Sequence, residues 1–118
     1  MTEDLASPLA ALVRDVRDGR VALVMDADGM VVASAGGESA QTESVAGEYG
    51  VILREAQSLC EARGWGALQT FTVQGASLRL VFAGVPGQLM LGLSGGPESL
   101  VGLMRQAAAS AAPGLGVL

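Results

Sequence analysis

Apolar residues recur at helical spacing near the start of the chain. Leu9, Leu12, Val13 and Val16 fall on one face of a helix that Ser7 would cap, Pro8 would open and Gly19 would stop. Val21 to Met25 then run apolar without alternation, as expected of a strand covered on both faces. Asp28-Gly29 is a hairpin turn signal, Met30–Ala35 the returning strand and Gly36–Thr42 a loop. A long second helix is predicted over Thr42–Arg63, with Gly64 as its C′ residue and Val45, Tyr49, Ile52, Ala56, Leu59 and Cys60 as its inward stripe. Strands over Ala67–Gln74, Ala76–Ala83 and Gln88–Leu93 are separated only by Gln74-Gly75 and Gly84–Gly87, so they form an antiparallel meander. A last helix over Glu98–Ala111 would turn Leu100, Leu103 and Met104 inward, and Pro113–Leu118 reads as a frayed tail. The order is α-β-β-α-β-β-β-α, with no internal repeat, linker or low-complexity segment.

Length and composition narrow the class. The chain has 118 residues, which is most simply one domain over 1–118. Half of its residues are apolar and 3% are aromatic, so Leu, Val, Ala and Met must build the core. No apolar run approaches the roughly 20 residues of a membrane span, and no basic start precedes a short apolar stretch as in a signal peptide. The reading is a cytoplasmic protein without membrane insertion. The formal net charge is −5, every cation is an arginine, and no basic run or aromatic platform offers itself to nucleic acid. A chain without lysine has no P-loop. Without histidine and with Cys60 alone it has neither an internal disulfide nor the ligands of a structural zinc site, and Cys60 reads as a small core residue.

Two motifs invite chemistry and lose it on inspection. Gly92, Ser94 and Gly96 spell the G-x-S-x-G of a hydrolase nucleophile elbow. A serine nucleophile needs a general base, and neither histidine nor lysine is present to serve as one. Gly95 and Gly96 read instead as a turn into the last helix, with Pro97 and Glu98 in its first turn. Asp26 and Asp28 before Gly29 resemble the opening of an EF-hand loop, but Met30 stands where the next oxygen ligand belongs and no glutamate closes the far end. The expectation is a non-enzyme with no catalytic residue, no metal and no cofactor.

Two surfaces survive. The predicted strand around Gln69, Thr70, Phe71, Thr72 and Val73 is neutral, free of proline and rich in β-branched and aromatic residues, and it ends the meander. Such an edge invites aggregation unless it is covered or paired, and pairing with its own copy across a twofold axis removes the hazard. The other surface is the outward side of the second helix, where Gly47, Val51, Arg54 and Ser58 follow one another at spacings of four, three and four, flanked by Glu48 and Glu55. Glycines inside a helix cost roughly 1 kcal/mol each relative to alanine, so Gly47 and Gly50 suggest close approach by another backbone.

With these features in place the chain resembles the Roadblock/dynein light-chain family, in its bacterial MglB-like branch. The residues that carry the likeness are the hairpin Val21–Gly36, the segment "LCEARGWGALQTFTV" that closes the second helix, and "LMLGLSGGPESLVGLMRQ" at the last strand and helix. The resemblance implies an α+β three-layer α/β/α sandwich. In it a five-stranded antiparallel sheet carries the second helix on one face and the terminal helices on the other. It also implies dimers built on the third strand and second helix, and binding of a Ras-like, MglA-like small GTPase at its switch region, with stimulation of GTP hydrolysis or with scaffolding in a signalling or polarity complex. The family has no catalytic side chain to carry over. Arg54 could also approach phosphates as a finger in trans, although an exposed arginine is more often a salt-bridge partner. The alternatives are an adaptor that changes no GTPase rate, and an enzyme or small-ligand sensor, which would need a polar pocket.

Overall fold

The computed structural model describes residues 5–37 and 39–116. The elements are α1 (Ala6–Asp15), β1 (Gly19–Met25), β2 (Val31–Ala35), α2 (Ser39–Ala62), β3 (Thr70–Gln74), β4 (Arg79–Val85), β5 (Leu89–Gly95) and α3 (Val101–Leu115). The strands form one five-stranded sheet in the order β2-β1-β5-β4-β3, and every pairing is antiparallel. The predicted element order and the placement of β3 at an edge both hold.

Two cores separate the layers. Leu9 and Leu12 of α1 and Met104, Ala108, Ala112 and Leu115 of α3 pack on Ala22, Val24, Val81, Leu91 and Leu93 of the sheet. On the other face, Ala46 and Leu53 of α2 meet Leu23, Met25, Leu80 and Phe82. Successive residues of a strand point to opposite faces. Both faces are covered here, which is why β1 and β5 read as unbroken apolar runs.

Several boundaries depart from the sequence reading. Ser7 lies inside α1, whose N-cap is Leu5, and Pro8 falls within the first turn, where its missing amide costs no helical bond. Helix α2 starts at Ser39, so the expected loop is shorter. Its end is as predicted. Gly64 adopts φ +69°, its amide bonds Glu61 O at 3.1 Å and the Trp65 amide bonds Cys60 O at 2.8 Å, a Schellman closure. Strand β4 runs through Gly84 and Val85, leaving Pro86, Gly87 and Gln88 as the turn. Helix α3 begins after Leu100 rather than at Glu98, and it continues past Pro113 to Leu115, which is 2% exposed. The tail expected to fray is therefore helical and anchored as far as Leu115, and Val117 and Leu118 lie outside the described residues.

Ser94 sits within β5, not in a turn. Its hydroxyl accepts the Val21 amide at 3.1 Å, at the point where the β1–β5 register shifts between Gly19 and Val21. The side chain thus satisfies a backbone donor that the bulge removes from the ladder. Ser94→Ala should destabilise the fold by about 1 kcal/mol through that orphaned amide, measured by denaturant titration, and should leave any ester hydrolysis by the purified protein at its wild-type level.

Candidate partner-binding interface

The hydrogen-bond pattern of β3 decides which of its backbone groups are free. The Gly84 amide bonds Gln69 O at 2.9 Å, and the register pairs Phe71 with Phe82 and Val73 with Leu80. Antiparallel pairs alternate between bonded and non-bonded, so Gln69, Phe71 and Val73 direct their amides and carbonyls to β4. Thr70, Thr72 and Gln74 direct theirs to the open edge. The Phe71 and Val73 side chains turn to the α2 layer, where they pack partly buried on its core. The five strand residues singled out by sequence are contiguous, although Gln69 lies one position before the strand proper.

Helix α2 is rotated relative to the sequence reading. Its buried positions are Thr42, Ala46, Gly50 and Leu53, while Ile52 and Leu59, expected inward, are 43% and 50% exposed. The cause is a backbone contact. Gly29 takes φ +83° in the β1–β2 turn, and a Cβ on Gly50 would lie 2.9 Å from the Gly29 Cα. The helix is pulled onto the turn at its small residues, and the larger side chains swing outward. Gly50 is thus explained inside the chain, not by a second molecule. The turn itself is a hairpin, as expected, held by Asp26 Oδ1, which accepts the Asp28 and Met30 amides at 2.9 and 3.0 Å.

The rotation creates an apolar flank that the sequence reading assigned to the core. Val45, Ile52 and Leu59 follow one another at a spacing of seven along one side of α2. On that side a groove opens toward Leu78, Leu80 and Phe82, and the Tyr49 and Phe82 rings lie 5.5 Å apart across it. The open edge of β3 and this flank belong to the same layer of the molecule. The missed signal was the spacing of seven itself, which marks a seam as readily as a core stripe.

The outward residues are placed as expected. Gly47, Glu48, Val51, Arg54, Glu55 and Ser58 are all exposed, and nothing lies within 4 Å of a Cβ built on Gly47. Arg54 is not free-standing: its Nη1 donates to Ala27 O at 3.2 Å, tying the helix to the hairpin turn. Cys60 is half-buried on the same helix. Among the described residues no three His, Cys, Asp or Glu come together as metal ligands, and no helix is long and apolar enough to cross a membrane.

No family model matches the sequence, and no curated protein matches it either. Solved structures do match. A Roadblock/LC7 domain from Streptomyces avermitilis superposes with a TM-score of 0.85 at 19% identity, over 93% of this chain and 92% of that one. MglB from Myxococcus xanthus gives 0.84 at 20% identity, over 97% of this chain and 95% of its own. The gliding protein MglB from Thermus thermophilus gives 0.83 at 19% identity, over 93% of this chain and 84% of its own. The chain has the Roadblock/LC7 fold, the architecture that the resemblance of its sequence implies.

Proposed function

We propose that this chain is a non-enzymatic, homodimeric regulator of a Ras-like, MglA-like small GTPase. The observation that carries the dimer is the coincidence of an open, neutral β3 edge with the apolar flank of α2. Edge-to-edge pairing of two β3 strands satisfies the outward groups of Thr70, Thr72 and Gln74. It brings Ile52 and Leu59 of each copy toward the seam, where their exposed area is removed from water. The likeness in fold to two MglB proteins supports the GTPase as partner.

The outer face of α2 then receives the partner. Val51 supplies apolar area beside the donor fork of Arg54, the combination favoured near interface centres. Glu48 and Glu55 select a partner that is basic near its switch region and make association salt-sensitive. The tether of Arg54 to Ala27 O favours a positional mechanism, in which the helix face holds the switch region in its hydrolysis-competent arrangement. A finger role would require that contact to break first.

A Ras-like GTPase recovered by pull-down from the host lysate provides the test. Arg54→Glu and Val51→Asp should each weaken its binding by about tenfold or more while shifting the melting temperature by only a few degrees, since an exposed helical charge contributes little to stability. Calorimetric titration with the GTP-bound partner checks this, and unchanged affinity in both variants would move the site off α2. Binding that leaves the rate of GTP hydrolysis unaltered would identify an adaptor.

A further inference from the structure

On the flank of α2 opposite Ile52 and Leu59 lies a second groove of about 590 Å³, between the helix and the β4–β5 turn. Met25, Leu53, Leu68 and Met90 give it an apolar floor. Gly84 lines it without a side chain. This glycine lies inside β4 and is exposed, its φ is not in the left-handed region, and a Cβ there would meet Leu68 O at 3.5 Å and Gln69 O at 3.9 Å, both ordinary contacts. Neither backbone conformation nor crowding requires glycine at 84. A strand is weakened by it, and such a glycine marks a place where a ligand or another backbone approaches closely. Phe82 lies two residues earlier on the same sheet face, so a side chain at 84 would project into the groove.

The charges on the groove are unequal. Asp26 and Glu61 stand in its wall against a single cation, Arg54, which already donates to Ala27 O. Gln57 closes one side, accepting the Leu68 amide at 2.7 Å and donating to Glu61 Oε2 at 3.1 Å. An anionic amphiphile would meet two carboxylates at the rim. A bulky apolar group that carries a neighbouring positive charge would fill the floor and complement the wall. The volume exceeds that of one side chain and lies in the range of sites that enclose several groups.

We infer that this groove docks a segment of a partner polypeptide that presents a bulky apolar side chain next to a lysine or arginine. The site is separate from the β3 edge and shares only Arg54 with the α2 face proposed for the GTPase, and it does not depend on the identity of that GTPase.

Random peptides displayed on phage, selected on the immobilised full chain and in parallel on its Gly84→Leu variant, test this. The wild type should enrich peptides that share an apolar residue beside a basic one. A synthetic peptide of that consensus should bind the wild type at least about tenfold more tightly than Gly84→Leu, with Gly84→Ala in between. Glu61→Gln, which leaves the groove open, should weaken binding several-fold and flatten its salt dependence. Circular dichroism and light scattering on each variant separate loss of the groove from loss of the fold. No enrichment over the bare support, a consensus without a basic residue, or affinity unchanged in both Gly84→Leu and Glu61→Gln would each overturn the inference.

Discussion

Thr72→Pro should convert the proposed dimer into a folded monomer. The ladder pattern makes this a specific expectation. The β4-facing amides of β3 are those of Phe71 and Val73, so the Thr72 amide points away from β4 and its loss costs the sheet no internal hydrogen bond. Proline is tolerated on such an edge position, and Phe71 before it already has the extended backbone that proline demands of its predecessor. In a twofold β3–β3 pairing the strand Thr70–Gln74 is centred on Thr72, so each copy loses a donor at the middle of the seam. The orphaned acceptors cost about 1–3 kcal/mol apiece, and two of them weaken association by more than about thirtyfold. Light scattering across a dilution series reads the outcome. A wild type that is monomeric at tens of micromolar removes the dimer itself. A Thr72→Pro protein that stays dimeric places the interface away from this edge.

Element order was legible in the sequence because it rests on strong local signals. Unbroken apolar runs mark strands with two covered faces, and Gly29, Gly64 and Gly87 occupy left-handed turn positions that few other residues accept. The inward face of α1 was legible, with Leu9 and Leu12 buried, but the rotational setting of α2 and α3 was legible only in part, for a physical reason. Hydrophobic periodicity follows the large side chains, whereas α2 and α3 set small residues beside Leu53, Met104 and Leu115 on their sheet-facing sides. Ala46 and Gly50 are buried in α2, and Ala108 and Ala112 in α3, while Ile52, Leu59, Leu100 and Leu103 are exposed. A close helix–sheet contact rewards the absence of side chain, which a hydropathy pattern records as nothing. The groove at Gly84 escaped for the same reason, being made of a side chain that is missing. A count of general bases bears on the chemistry of Ser94, but its structural duty at the β1–β5 bulge depends on a register that only the folded sheet reveals.

The setting of α3 makes a pair of substitutions diagnostic, because sequence pattern and structure rank them in opposite order. Periodicity places Leu103 in the core and Leu115 in a loose tail, whereas the structure leaves Leu103 60% exposed and Leu115 2% exposed. Leu115 packs in the cluster formed with Met104, Ala108 and Ala112, beyond Pro113, at the end of the helix. Its position is enforced from outside the helix as well, since Gly116 abuts Pro86 so closely that a Cβ there would fall 2.9 Å from the Pro86 Cβ. Leu115→Ala therefore removes a buried side chain from a site braced on two sides, where neighbours have little freedom to collapse into the void. The expected cost is about 2–5 kcal/mol. For a domain of this size that lowers the melting temperature by roughly 10 °C or more. Leu103→Ala gives up little burial and exchanges one good helix former for a better one, so its effect should stay within about 0.5 kcal/mol. Both variants belong at one protein concentration, because the proposed dimerisation would contribute to apparent stability by mass action. Equal losses in the two, or a larger loss at Leu103, would mean that α3 presents the other face to the sheet, and that Leu100 and Leu103 form part of the core after all.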